Sequence, residues 1–301
     1  MKQKVVVILG PTGVGKSKIG VEIANKFNGE IISADSVQIF KDFNIGSAKI
    51  TEEETKGIKH HLIDFVSPNE EFTVYNFVSN AKLKIKEISS KNKLPIIVGG
   101  TALYAKSLIE NYNFGETERD LSVRKELEKE LLEKGIDYLF KKLKNLNQEM
   151  AKSIDKNNSV RLIRAIEIAM AEKEKTKSES EFDFLIFALN KDRQALYEQI
   201  NRRVDVMIKD GLVDEVKSLV EKYGTQVQPF KAIGYKEVLP YIQNKYSKQE
   251  MIDLIKQHSR NYAKRQITFI KNIKETKWID TADFDNAKSE IETEIEKWLY
   301  S

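Results

Sequence analysis

The spacing of hydrophobic positions changes along the chain, and each change predicts an element. The run KVVVILG (4–10) is β-branched and uninterrupted up to its glycine, whereas KSKIGVEIANKF (16–27) places Ile19, Ile23 and Phe27 at helical intervals. Strand, loop and helix follow in that order. GEIISADS (29–36) predicts a second strand. LPIIVGGT (94–101) predicts a third, entered through Pro95 and left through Gly99 and Gly100. Between them NFVSNAKLKIKEISSKNK (76–93) turns Phe77, Ala81, Ile85 and Ile88 to one side as an amphipathic helix. Strands that are apolar at nearly every position and alternate with helices imply a parallel sheet covered on both faces.

From Asn111 to Ser180 the texture is rich in Lys, Glu and Leu and offers no strand. LSVRKELEKELLEKG (121–135) and SVRLIRAIEIAMAEKEK (159–175) predict two helices, and KEKTKSESE (173–181) an exposed linker. FDFLIFALN (182–190) then returns as an apolar strand, so the chain re-enters the first sheet. After Asp192 amphipathic helices alternate with turns at Gly211, Gly224, Gly234 and Pro240, with no further strand expected. The expected fold class is α/β: a P-loop parallel sheet flanked by helices, with an all-helical insertion domain. The expected divisions are 1–110 for the first part of the core, 111–180 for the insertion, and 181–301 for the second part with a basic helical C-terminal region. No repeat of fixed period is present.

Composition narrows the function classes. At 301 residues, 41% hydrophobic and 32% charged, the chain is neither disordered nor fibrous. No apolar run approaches the ~18 residues of a spanning helix. The short apolar start flows into a glycine loop and reads as a first core strand, not a signal peptide. Cysteine is absent, which removes disulfides, thiolate zinc sites and cysteine nucleophiles and fits a reducing, cytoplasmic setting. The formal charge of +4 is modest, but seven Lys or Arg stand against one acid between Lys256 and Lys277. Within that stripe Arg260, Lys264, Arg265 and Lys271 share a helix whose apolar side is Ile255, Tyr262, Ile267 and Ile270. A local stripe of this kind favours nucleic-acid contact over plain solvation.

The loop between the first strand and helix satisfies G-x-x-x-x-G-K-[ST] with Gly10, Pro11, Thr12, Gly13, Val14, Gly15, Lys16 and Ser17. Its glycines let backbone N–H groups converge on phosphate oxygens, Lys16 supplies charge and the Ser17 hydroxyl suits Mg²⁺. A P-loop NTPase adds a carboxylate at the end of a neighbouring strand. PIIVGGT ends in glycines and threonine instead, and the acid in such a place is Asp35. Two roles are open for it, a metal-orienting or general-base group and the cap of the next turn. Gln38 is open in the same way, between reading an adenine edge and bracing a turn. The pair His60 and His61 lacks a third ligand and is expected to pack beneath the core. Arg161 and Arg164 lie on one helix face opposite Leu162, Ile166 and Ala169, where contact with an RNA stem and ordinary solvation are equally compatible with the spacing.

GPTGVGKS, IISADSVQIF, IGSAK, HHLID, IIVGGTALY, RLIRAIEI, RRVDVMIKDGLVDEV, AIGYKEV and YAKRQITF occur in that order from about Val5 to Trp278. Together they resemble the tRNA dimethylallyltransferase family, in its bacterial form. The zinc finger of eukaryotic members has no counterpart, since cysteine is absent. The resemblance implies dimethylallyl diphosphate in the P-loop, with Thr12, Lys16 and Ser17 as its polar contacts and Ser17 on Mg²⁺. It implies Arg203 at the same diphosphate and Asp35 as the base that meets N6 of a flipped adenosine, immediately 3′ of the anticodon in tRNAs reading codons that begin with U. The implied tRNA contacts are Asp35, Ser36, Val37 and Gln38; Thr101; Arg124; Val160, Arg161, Leu162, Ile163 and Arg164; and Lys231, Ala232, Ile233, Gly234 and Tyr235. A monomer without membrane contact or obligate protein partner is expected. Two other classes share the loop: a P-loop kinase for small molecules or nucleotides, and a non-catalytic, ATPase-type nucleic-acid binder. Neither needs a prenyl donor.

Overall fold

In the computed structural model, residues 2–111, 121–171 and 180–300 are described. The chain forms two compact units, one of residues 1–110 and 180–301, the other of residues 111–179. In the first unit the order is β1 (Gln3–Leu9), α1 (Lys16–Lys26), β2 (Gly29–Ser33), α2 (Glu52–Thr55), β3 (His60–His61), α3 (Val74–Ser90), β4 (Leu94–Gly99) and α4 (Ala102–Ile109). The second unit holds α5 (Leu121–Lys134), α6 (Ile136–Leu146), α7 (Gln148–Ser153) and α8 (Ser159–Ala171). The first unit resumes with β5 (Phe182–Asn190), α9 (Arg193–Lys209), α10 (Leu212–Tyr223), a 3₁₀ turn (Gln228–Lys231), α11 (Tyr235–Ile242), α12 (Lys248–Ile270), β6 (Thr276–Asp280) and α13 (Phe284–Leu299).

The six strands pair in the order β3-β2-β4-β1-β5-β6, every pair parallel. Val5 to Leu9 have no exposed surface, as a central strand with both faces covered requires. Ile19 and Ile23 of α1, Ile96 of β4, Phe187 of β5 and Ile291 and Ile295 of α13 close one core against β1. The expectation of no strand after Asn190 is corrected: β6 adds an edge to β5, with Ile279 its one buried residue, so its charged positions hide the apolar period. His60 and His61 form β3 at the other edge, as packing groups. His61 Nε2 lies 2.7 Å from Glu30 Oε2, and burial lowers the pKa of both imidazoles.

In the helical unit Leu127, Leu139, Leu143, Ala151, Leu162, Ile163 and Ile166 make a core of their own. The two expected helices are α5 and α8, and α6 and α7 join them in the core among the described residues. The linker expected at Lys173–Glu181 lies, up to Glu179, outside the described residues. No described helix is long and apolar enough to cross a membrane.

Candidate active site

The C-terminal ends of β1, β2 and β4 face a cleft of about 400 Å³, where ligands bind in open parallel sheets. Its floor is the phosphate loop. Gly15 precedes α1 with φ 97°, a left-handed conformation that an L side chain resists, and this points the first turn of the helix into the cleft. Thr12, Lys16 and Ser17 line it. The Lys16 ammonium donates to the Pro11 carbonyl at 2.7 Å. Burial first, then the charge of Arg203, draw its pKa down to about 7, against an upward pull from Asp35. Arg203 reaches in from α9 and donates through Nη1 to Thr12 Oγ1 at 3.1 Å. Burial lowers its pKa too, while Asp35 and Glu54 oppose that shift. Two partly buried cations, neither paired with a carboxylate among the described residues, give the loop the charge to receive an anion.

Asp35 follows β2 on the opposite wall. Its Oδ1 accepts from the Val37 N–H at 2.9 Å and the Gln38 N–H at 3.2 Å, so the turn cap is present. The carboxylate also lines the cleft. Oδ1 therefore fixes the turn, while Oδ2 accepts no hydrogen bond among the described residues. At the end of β4 a Cβ on Gly99 would stand 2.1 Å from the Ala34 carbonyl oxygen. The absent side chain lets β4 approach the segment that carries Asp35, and no second acid fits there. Thr101 Oγ1 accepts from the Ser36 N–H at 3.0 Å, tying α4 to the same turn.

The structure sorts the other candidates. Lys231, Ala232, Ile233 and Gly234 line the cleft with Ser36, Val37 and Gln38. Tyr235 is fully buried in the core, and its hydroxyl donates to Glu215. Leu162 and Ile163 are likewise core residues of the helical unit, while Val160 is exposed. Arg124 and Arg164 in that unit both pair with Glu167, at 3.3 and 2.8 Å. On α12, Arg260 donates to Asn201 Oδ1 at 2.6 Å, whereas Lys264 and Arg265 are exposed and Arg265 also reaches the cleft. Gln38 spends its amide N–H groups on the Ser47 and Ala48 carbonyls at 3.1 and 3.0 Å, which is the bracing role.

One site residue was missed. Gln266 is buried on α12, accepts from the Thr12 N–H at 2.9 Å and donates to the Gly100 carbonyl at 2.7 Å. It links the phosphate loop to the end of β4, in front of the place a second acid would occupy. A polar residue on an inward helical position was the available signal. Beside it Tyr262 lines the cleft, its pKa pushed up to about 12 by burial and by Asp35.

The Ser17 hydroxyl makes no hydrogen bond among the described residues, and the described residues hold no cluster of three His, Asp or Glu that would bind a metal unaided. A hydroxyl placed at a phosphate loop is the kind of protein ligand that Mg²⁺ takes beside phosphate and water.

An ammonium held near neutrality makes diphosphate binding proton-linked. Burial and the Arg203 charge favour neutral Lys16 in the empty loop, and a bound anion, which favours the ammonium, is expected to draw a proton from solvent. Calorimetry with inorganic diphosphate in buffers of different ionisation enthalpy is expected to show net proton uptake, with affinity falling as pH rises above about 7. Binding without uptake would show that Lys16 is already charged.

A sequence model of the family described as IPP transferase matches residues 38–273. The tRNA dimethylallyltransferase of Clostridioides difficile strain 630 is 45% identical over 301 residues, spanning 98% of this chain and 96% of that protein. The one from Acetivibrio thermocellus is 46% identical over 291 residues, spanning 94% and 93%. Among solved structures, the full-length tRNA isopentenylpyrophosphate transferase of Bacillus halodurans superposes with a TM-score of 0.76 at 41% identity, covering 98% of this chain and 96% of that one. A eukaryotic dimethylallyltransferase acting on tRNA gives a TM-score of 0.80 at 29% identity, covering 94% and 75%.

Proposed function

The chain belongs to the IPP transferase family, and on that premise we propose that it moves a dimethylallyl group from dimethylallyl diphosphate to N6 of the adenosine 3′ of the anticodon, in tRNAs reading codons that begin with U. The observation that carries this reading is the pairing, across one cleft, of an anion-binding loop with a single carboxylate, and of β4 ending in glycines where an NTPase would carry its second acid.

The exocyclic amine of adenine is a poor nucleophile because its lone pair is delocalised into the ring. Asp35 accepts a hydrogen bond from N6–H and takes the proton as N6 bonds to the allylic carbon. As that bond forms, the C1–O bond breaks and its electron pair leaves on the diphosphate. Backbone N–H groups at the start of α1, Lys16 and Arg203 stabilise the growing charge. Thr12 holds Arg203 in place through its hydroxyl. Ser17 is the residue that would hold Mg²⁺, which when bound would supply further charge neutralisation for the leaving group. No water has to be positioned, so one acid is sufficient. The target base leaves its stack at a cost of a few kcal/mol, about what base and phosphate contacts can recover. Arg265 on α12 lines the cleft together with Lys231 and Lys236, and these exposed basic groups suit the anticodon arm.

The test incubates the protein with unmodified tRNA, Mg²⁺ and dimethylallyl diphosphate, then digests the tRNA and weighs its nucleosides. A prenyl mass gain on adenosine is expected. Consumption of ATP with phosphate transfer and no prenylated adenosine would overturn the reading in favour of a kinase.

A further inference from the structure

Glu215, on α10, has no role in the chemistry above, yet its carboxylate is saturated. Oε2 accepts from the backbone N–H groups of Asn44 and Ile45 at 3.0 and 2.7 Å, and Oε1 accepts from the Gly46 N–H at 3.1 Å and the Tyr235 hydroxyl at 2.8 Å. The same hydroxyl accepts from the Ser47 N–H at 3.2 Å. Four consecutive peptide donors are thus gathered on one acid, three directly and the fourth through Tyr235. Convergent peptide N–H groups of this kind form an anion site, which Glu215 fills from within the chain.

The gathered loop leads straight to the base. Its next carbonyls, Ser47 and Ala48, hold the Gln38 amide, and the Gln38 N–H is bound in turn by Asp35 Oδ1. Gly46, Ser47 and Ala48 themselves line the cleft that the phosphate loop lines. Ala48 sits at φ 46°, a left-handed conformation that a residue with a Cβ keeps only when its surroundings impose it. A Cβ on Gly46 would lie 2.5 Å from the Tyr235 ring, so the loop is pressed onto that ring.

We propose that Glu215 is a positioning residue for the transfer reaction: by clamping the loop 44–48 it fixes Gln38, and through Gln38 the turn that aims Asp35 at the acceptor amine. The inference rests on the prenyl-transfer reading. It separates two halves of the site, because the clamp serves the acceptor wall and leaves the phosphate loop to Gln266 and Arg203.

The test uses the full chain carrying Glu215→Gln, which keeps the size of the side chain but sets an amide N–H₂ against backbone donors. Prenyl-transfer kcat on an anticodon stem-loop is expected to fall roughly 10- to 100-fold, the cost of a misaimed reacting group. Calorimetric affinity for inorganic diphosphate stays at the wild-type value. Tyr235→Phe, which releases the Ser47 tether and leaves the other three bonds, is expected to fall between the two proteins. Wild-type kcat in a folded Glu215→Gln or Tyr235→Phe protein, even one with a lower melting temperature, would overturn the proposal, as would a matching loss of diphosphate affinity. Should Glu215→Gln fail to fold, Tyr235→Phe alone decides. A wild-type protein that does not prenylate is the separate result that removes the underlying reading.

Discussion

Asp35→Asn is expected to lower the rate of prenyl transfer by ~10²–10⁴-fold, the usual contribution of a positioned general base, while leaving tRNA affinity close to wild type. The expectation is sharper than for most catalytic acids because the substitution separates the two duties of this side chain. Asparagine keeps an oxygen in the place of Oδ1, so the N–H groups of Val37 and Gln38 retain their acceptor and the turn is preserved. What disappears is the ionised oxygen that takes the N6 proton. Single-turnover rates on a stem-loop, with filter binding of the same RNA, make the measurement. Undiminished transfer would reduce Asp35 to a cap.

Arg203→Met is expected to cost ~10²–10³-fold in turnover, the loss seen when one preorganised donor to a developing anion is removed. Two accompanying signs distinguish this from structural damage. Arg203 is a partly buried cation whose guanidinium donates to Thr12, a neutral partner, and among the described residues no carboxylate pairs with it. A similar-sized apolar side chain should therefore leave thermal stability unchanged or raise it. Its charge also presses on Lys16. Without it the lysine pKa rises, and the proton uptake that accompanies diphosphate binding shrinks. Lost activity together with a large fall in melting temperature would place Arg203 in the scaffold.

Much of this architecture is legible in the residues. The strands that carry the site are continuous apolar runs because both faces are covered, so β1, β2, β4 and β5 announce themselves without alternation. The glycine loop is fixed by the backbone geometry it must adopt. Legibility fails where burial is partial or the partner is remote. β6 buries one residue of five and reads as part of a charged helical tail. In α6 the spacing of Leu139 and Leu143 carries a helical signal, but α7 is a six-residue element too short to show a period. In the site, Asp35 and the P-loop are visible as residue types at the ends of strands. Gln266 and Glu215 are not, since each is defined by backbone groups more than half the chain away, Thr12 for the first and Asn44 to Gly46 for the second. Similarity to a family also assigns segments, not side chains. Tyr235, Leu162 and Ile163 fall within segments assigned to tRNA, and their side chains are buried.

The pairing of β1 with β5 sets the order in which this protein can be made. Val6 lies beside Leu185, with the whole helical unit intervening in sequence. The strand that feeds the phosphate loop leaves the ribosome early and waits for its neighbour, with an apolar edge unpaired, until β5 has been synthesised. The helices of residues 121–171 contact one another locally and have no such delay. During translation the middle of the chain is thus free to fold before the sheet is complete, and until then the unpaired edge of β1 is open to mispairing.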